Sequence, residues 1–532
     1  MTPFDTVGAF RFTVDSGGVR KLAARGGGVT VFSSALGLAI QIVSTVVLAR
    51  LLTPADFGLV AMVTTFSLLL SNFGLNGFTE AVIQREVIDH RLVSNIFWIN
   101  LSAGLILTVG FAASGSLLAL FYGNPNVARV AVGMSLTILL TSTSVLHLAL
   151  LKRAMRFSLV CTNDIVARIV LVAVSILLGC EGWGYRALVA GAVAQAFIQA
   201  AGAWYLCRWI PGRPQRLAGT SSMVRFAMNT YGRFTVNYGA RNLDNLLVGW
   251  RFDAQSLGFY KKAYDLFALS ASQLISPLSN VAVAVLSRLN HDAPRYRTYF
   301  LSALSLMAFV GMGLSGGLTL VGQDVIRILL GPGWEPAGRI FTFFGPGIGV
   351  MLLYGMHGWV HLSIGRADRW FRWGIVEFAV TGLLFILGLQ WGPAGVAVAW
   401  TASFWMLLLP AFWYAGKPIR LGIAPVIAAI WRYALASLLA GCVSVAITRG
   451  LPYFGASGAL GAVIRVLKIS GVFGVLYLGA VVLFHRGWGP LALVFQLASE
   501  MTSGGRDSLL PAVSIATPDT LASACRPHDG SI

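Results

Sequence analysis

Charge is scarce in this sequence. Asp, Glu, Lys and Arg make up 11% of its 532 residues, against about 25% in ordinary soluble domains. A chain so poor in charge is not a large soluble protein. Cysteine is sparse too, and Cys161, Cys180, Cys207, Cys442 and Cys525 form no CxxC pair. An odd count without metal spacing argues against both a disulfide framework and a zinc site. There is no Walker A sequence, which argues against ATP hydrolysis by this chain. No two Asp stand two apart, so the DxD metal site of many glycosyltransferases is missing. Nothing before residue 28 has the apolar core of a signal peptide, so the N-terminus is expected to be retained.

What is abundant is apolar sequence, 56% of the chain. A bilayer-crossing helix needs about 20 mostly apolar residues, and such runs follow one another almost end to end. They predict an all-α integral membrane protein with spans near 29–51, 57–79, 94–121, 128–151, 158–180, 184–207, 223–250, 258–286, 299–321, 340–364, 371–390, 393–415, 424–447 and 460–484. Residues 485–532 are polar, rich in small residues and without apolar period, as expected of a disordered tail.

The stretch "LARLLTPADFGLVAMV" (48–63) puts Arg50, Pro54, Asp56 and Gly58 between two apolar runs. It predicts a hairpin at the membrane surface. Pro54 can open a helix, Asp56 can satisfy nearby amides, and Gly58 allows two backbones to approach closely.

Lys and Arg are concentrated in the N-terminal segment, the even-to-odd loops and the tail. By the positive-inside bias both termini are expected in the cytoplasm. The excess of cations is then a topology signal, and no basic block has a soluble domain around it that would suit nucleic acid.

An internal repeat shows at offsets of about 200 to 213. "LLKRAMRF" (150–157) matches "SIGRADRW" (363–370), "WGYRALVAGAV" (183–193) matches "WGPAGVAVAWT" (391–401), and "LLTPADFGLV" (51–60) matches "RFDAQSLGFY" (251–260) in hydropathy, with Gly58 and Gly258 identical. Two parallel six-helix halves follow, a device of secondary transporters with the substrate between the halves. The expected organisation is an N-terminal segment 1–28, a first lobe 29–207, a cytoplasmic linker 208–222, a second lobe 223–415, two extra helices in 416–484 and the tail.

The "LARLLTPADFGLVAMV" turn, "GFTEAVIQRE" (77–86) and "LGFYKKAYDLFALSASQLISPLSNVAVAVLSRL" (257–289) resemble bacterial polysaccharide transporters of the multidrug/oligosaccharidyl-lipid/polysaccharide flippase superfamily. The resemblance covers residues 20–485. It implies a V-shaped, alternating-access bundle with a cationic central cavity. It further implies translocation of a polyprenyl-pyrophosphate-linked oligosaccharide from the cytoplasmic to the periplasmic leaflet of the bacterial inner membrane. Polysaccharide polymerase or export proteins are candidate partners, and no cofactor is implied. A peptidoglycan lipid II flippase and a cation-coupled drug exporter of the same superfamily are the rival functions.

A charge at the centre of a membrane helix costs roughly 2.5–3.5 kcal/mol on insertion scales, so each one calls for a reason. In 223–250, Asn229, Arg233, Asn237 and Arg241 recur every four residues, and Asp244 and Asn245 extend the stripe. Either Arg233 and Arg241 bind pyrophosphate while the Asn side chains meet sugar, or Arg241 pairs with Asp244 and the stripe joins helices. Asp164 and Arg168 form either a self-compensating pair or part of the cavity. Arg50 either snorkels or lines the cavity. Asp164, Asp265 and Glu377 are candidates for ion coupling, or else partners of a nearby cation. Arg465 and Lys468 are expected to snorkel. His357 and His361 of "HGWVH" share a helix face as metal ligands do, but no neighbouring acid completes a set. "GMGLSG" (311–316) has the letters of a dinucleotide fingerprint but no preceding strand.

Overall fold

The computed structural model describes residues 3–5, 8, 10, 16–85, 87–215, 220–450 and 458–489. Among these, sixteen α-helices follow in order: α1 (Ser16–Leu51), α2 (Pro54–Gln84), α3 (His90–Ala113), α4 (Gly115–Tyr122), α5 (Asn126–Arg153), α6 (Phe157–Cys180), α7 (Tyr185–Cys207), α8 (Thr220–Arg251), α9 (Ala254–Arg288), α10 (Ala293–Leu330), α11 (Glu335–Gly355), α12 (His357–Ser363), α13 (Ala367–Gly388), α14 (Gly392–Gly416), α15 (Ile423–Gly450) and α16 (Ala459–His485). The strand pairing described is one isolated bridge, Phe4 to Phe10. Residues 1–480 form one compact unit and 481–532 another, whose described part is the end of α16 and the turn after it. Most of the predicted tail, 490–532 with Cys525, lies outside the described residues.

Each predicted apolar stretch falls on helix. The third is interrupted at Ser114, between α3 and α4, and the tenth at Met356, between α11 and α12. Among the described residues, eleven stretches are long and apolar enough to cross a membrane, one of them running through α13 and α14 together. The two long helices outside that set are α8 and α9. Arg, Asn, Asp and Lys interrupt their apolar surface, and the two are consecutive in the chain.

The turn at 51–54 is built as its residues require. Thr53 and Asp56 form a capping box: Asp56 N–H donates to Thr53 Oγ1 at 3.3 Å, and Thr53 N–H donates to Asp56 Oδ2 at 3.0 Å. These bonds satisfy donors that a helix start otherwise leaves open. Pro54 occupies the first turn, where its missing N–H costs nothing. Asp56 Oδ1 also accepts the N–H of Tyr185 at 2.8 Å, so one carboxylate serves the starts of both α2 and α7.

Glycine decides where α2 and α9 cross. A Cβ on Gly58 would sit 1.6 Å from the Ala254 carbonyl oxygen, and one on Gly258 would sit 1.8 Å from the Pro54 carbonyl oxygen. The contact is reciprocal: Pro54 and Gly58 meet Ala254 and Gly258, four residues apart on each helix. Small residues at that spacing let helix backbones touch. Similarly Gly311 of α10 meets Gly349 of α11, where a Cβ on Gly349 would lie 2.6 Å from the Gly311 carbonyl. The "GMGLSG" letters therefore serve helix packing.

The helix α8 touches both halves of the chain. Toward its start, Ala227 packs against Gly77, and the Tyr231 hydroxyl donates to the Leu69 carbonyl of α2 at 2.8 Å. Toward its end, Asp244 bonds to α9 and α14. The linker before α8 is held on the first half as far as residue 215. Asn95 exchanges two hydrogen bonds with the Gln215 backbone, Trp98 Nε1 donates to the Gly212 carbonyl, and a ring nitrogen of His147 meets the Trp209 carbonyl. Trp209 is buried there with Phe97 and Val145 in the core of α2, α3 and α5.

Candidate functional site

Polar groups within the helices gather at three places. The first is the second half of α8. Asp244 is wholly buried and accepts hydrogen bonds from the Tyr260 hydroxyl of α9 and from Trp400 Nε1 of α14, both at 2.8 Å. These bonds answer the burial of a carboxylate that would otherwise be prohibitive. Asp244 therefore neither pairs with Arg241 nor extends an open stripe; it ties three helices together. Asn245 beside it is also buried.

Arg241 is exposed, one turn before Asp244, and its guanidinium is within electrostatic reach of Glu377 on α13 and of Tyr354 and His357. Glu377 faces the Tyr354 hydroxyl, which in turn accepts from Trp373 Nε1 at 2.8 Å. An acid on α13 and a phenol on α11 thus face each other, with the Arg241 cation of α8 within electrostatic reach. Asn229 is exposed further back on α8. The side chains of Arg233 and Asn237 lie outside the described set.

The second group is made of ion pairs at separate positions in the fold. Arg168 Nε donates to Asp164 Oδ2 at 2.8 Å on α6, with both groups partly exposed and Gly37 of α1 beside the arginine. On α9, Lys261 pairs with Asp265 one turn on. Arg465 of α16 departs from expectation: it grips Asp324 of α10, with its Nε 3.1 Å from both carboxylate oxygens. A partner inside the protein replaces snorkelling there.

The third place is a clasp at the α1–α2 turn. Arg50 Nη2 donates to the Ile328 carbonyl at 3.2 Å, in the last turn of α10, where a cation also suits the helix dipole. Trp334 Nε1 donates to the Ala49 carbonyl at 2.9 Å, and its ring lies edge-on to Phe57 and Phe259. Lys262 sits 4.0 Å from the centre of the Phe57 ring. The described bond of Arg50 is thus to protein. It joins the two halves at the same end of the bundle as the Gly58–Gly258 crossing.

The comparisons fit this architecture. A family model described as "Polysaccharide biosynthesis protein" matches residues 47–339, more than half of the chain. The chain belongs to this polysaccharide biosynthesis protein family. Among its relatives, the teichuronic acid biosynthesis protein TuaB of Bacillus subtilis (strain 168) is 23% identical over 389 residues, covering 71% of this chain and 79% of TuaB. The succinoglycan biosynthesis transport protein ExoT of Rhizobium meliloti (strain 1021) is 21% identical over 466 residues, covering 88% of this chain and 94% of ExoT. Among solved structures, the lipid II flippase MurJ in an inward closed conformation aligns with a TM-score of 0.68 at 15% identity, covering 87% of this chain and 99% of MurJ. A multidrug resistance transporter of the MATE family, inward-facing, aligns at 0.55 and 9% identity, covering 72% of this chain and 94% of that one. At such identities these two structures establish the fold alone, a multi-span helical bundle.

Sequence reasoning missed the aromatic partners of this family member: Tyr260, Tyr354, Trp373 and Trp400. Each is an apolar body with one polar atom, and buried Tyr and Trp usually find a partner for that atom. Their place on otherwise apolar spans was the available signal.

Proposed function

We propose that this chain flips a polyprenyl-pyrophosphate-linked oligosaccharide from the cytoplasmic to the periplasmic leaflet of the bacterial inner membrane, for surface polysaccharide assembly. The work is transport, not catalysis. Lobes 29–207 and 223–415 alternate about the substrate, residues 416–484 add two helices, and both termini are cytoplasmic. Polymerase or export proteins receive the flipped unit.

The observation that carries this reading is a cation on a polar helix. Arg241 stands exposed on α8, one of the two long helices too polar for the apolar set, and close to Glu377 in the second half. A charge within a membrane helix needs a function or a partner, and a pyrophosphate is an anion that an arginine fork matches in geometry. Arg233 and Arg168 are proposed to add charge, and Asn229 and Asn237 to hydrogen-bond sugar. Of the acids, Glu377 is the proposed ion-coupling group, because its neighbours are a cation and a phenol from other helices. Asp164 and Asp265 already have cations one turn away. The relatives' printed names, teichuronic acid biosynthesis and succinoglycan transport, favour a polysaccharide unit over a drug or lipid II.

The test is Arg241→Ala against Arg241→Lys in cells dependent on this chain. The Ala variant is expected to insert normally and abolish surface polysaccharide. The Lys variant, a point charge without the planar fork, is expected to retain part of it. Full export by Arg241→Ala would sink the phosphate-binding role.

A further inference from the structure

The "HGWVH" motif has no task in the account so far, yet its two histidines are among the most deeply placed polar groups in the protein. His357 and His361 open and nearly close the short helix α12, four residues apart and so on one face. His361 has no exposed surface and His357 almost none. Their rings lie 5.9 Å apart and nearly perpendicular. One ring nitrogen of His357, Nδ1, meets the Tyr354 carbonyl. The other, Nε2, and both ring nitrogens of His361 have no hydrogen-bond partner among the described residues.

Buried polar atoms are satisfied in the great majority of cases. A neutral imidazole always carries one N–H donor and one lone pair, so His361 presents both without a protein group to meet either. Because His357 Nδ1 faces a carbonyl, it holds the hydrogen, and Nε2 presents the lone pair. The tautomer follows from that contact. Nitrogens of this kind, on rings about 6 Å apart, suit water molecules that bridge two polar groups.

The surroundings give the pair a direction. On one side stands Tyr354, whose ring is 4.6 Å from that of His357 and whose hydroxyl faces Glu377. On the other side α12 ends at Ser363. Its Oγ bonds the Tyr296 hydroxyl at 2.6 Å, and Tyr296 lines a surface cleft of about 300 Å³ with Ile364 and Arg366. Along the chain, Tyr354, His357 and His361 lead toward the cleft loop, where the Arg366 N–H donates to the His361 carbonyl at 2.9 Å.

We infer that His361 and His357 form a water-bridged proton path between the surface at the Ile364–Arg366 loop and Glu377. The inference rests on the proposed coupling role of Glu377. In one passage the Glu377 carboxyl gives its proton to the Tyr354 hydroxyl oxygen as that hydroxyl releases its own. The released proton reaches Nε2 of His357, which becomes a cation. His357 gives it up through water to one ring nitrogen of His361, which sheds the hydrogen on its other nitrogen toward the cleft. A half-turn of the His361 ring about its Cβ–Cγ bond restores the starting tautomer without returning the proton. Glu377 ends as a carboxylate and every relay group ends neutral, so one proton has moved and nothing is oxidised.

The charges facing this path are known from each packed element. Arg241 of α8 acts on Glu377, Tyr354 and His357, and Arg369 and Asp368 of α13 act on His361. Tyr414 of α14 lies against His361, with its ring 5.8 Å away. From α9 there is no ionisable residue between Asp265 and Arg288.

The experiment uses the full chain in proteoliposomes with lipid-linked oligosaccharide as cargo. Flipping is read with an imposed pH gradient, and exchange is read at equal pH. The variants are His357→Gln, His361→Gln and His361→Asn, with thermal melting as a check on folding. The expected result is that gradient-driven flipping falls by roughly 100-fold, the low end of what a positioned proton-transfer group contributes, while exchange at equal pH stays near wild type. Wild-type gradient response in well-folded variants overturns the relay and leaves the flippase reading intact. A wild-type chain that flips under a sodium gradient alone also overturns it. No flipping by wild type under any gradient contradicts the function itself.

Discussion

Asp56 shows how much one carboxylate can organise. One oxygen completes the capping box of α2 and the other takes the Tyr185 amide at the start of α7. A lost helix cap costs about 1 kcal/mol, and Asp56→Ala removes two such bonds at once. The expected loss is roughly 2 kcal/mol, read as a lower Tm in detergent, with Asp56→Asn recovering part of it. An unchanged Tm for Asp56→Ala would contradict the double cap. The Arg465–Asp324 pair makes a second prediction at this scale. Removing one member of a fully buried pair costs about 3–5 kcal/mol, and this one is partly screened. Asp324→Ala is expected to destabilise by on the order of 2 kcal/mol, and Asp324→Leu with Arg465→Leu to recover most of that. If the double variant is no more stable than Asp324→Ala, the pair is not what holds α16 to α10.

Between elements, the crossing of α2 and α9 is the closest backbone approach that the glycines mark. A methyl group at Gly58 or Gly258 cannot be absorbed by a side-chain shift, because what it strikes is carbonyl oxygen. Overpacking of this kind costs about 1–3 kcal/mol, concentrated at the end where Arg50 and Trp334 also hold the halves together. Gly58→Ala and Gly258→Ala are expected to push this end apart, increasing the labelling of a cysteine placed at Phe57 by a membrane-impermeant thiol reagent. Labelling equal to that of the parent would argue that the helices part freely here. The elements were largely legible beforehand. Runs of about 20 apolar residues are a strong signal, and Thr53–Asp56 announced the turn in its letters. The breaks at Ser114 and Met356 were missed, although Ser114-Gly115-Ser116 and the glycines at 355 and 358 are the kind of residues at which helices kink. The fate of the linker was not legible, since its first part is held by backbone contacts that no side-chain pattern encodes.

At the scale of the molecule, two consecutive helices too polar for the apolar set pack among apolar ones. That contrast could be read from composition, and so could the candidate cation Arg241. The partners were harder. Asp244 was expected in an open stripe because four-residue spacing fixes a helix face but not what packs on it. Tyr260 and Trp400 reach it from 16 and 156 residues away in the chain. Glu377 and Arg241 are likewise far apart in the chain, so bringing them within electrostatic reach needed the fold. The central claim is that this bundle moves a lipid-linked sugar, and the most direct measurement is lipid extraction from cells lacking the chain. The account predicts lipid-linked oligosaccharide accumulating in the cytoplasmic leaflet, with surface polysaccharide lost and restored by the wild-type gene. Unchanged surface polysaccharide, with altered sensitivity to drugs or to inhibitors of peptidoglycan synthesis, would contradict it.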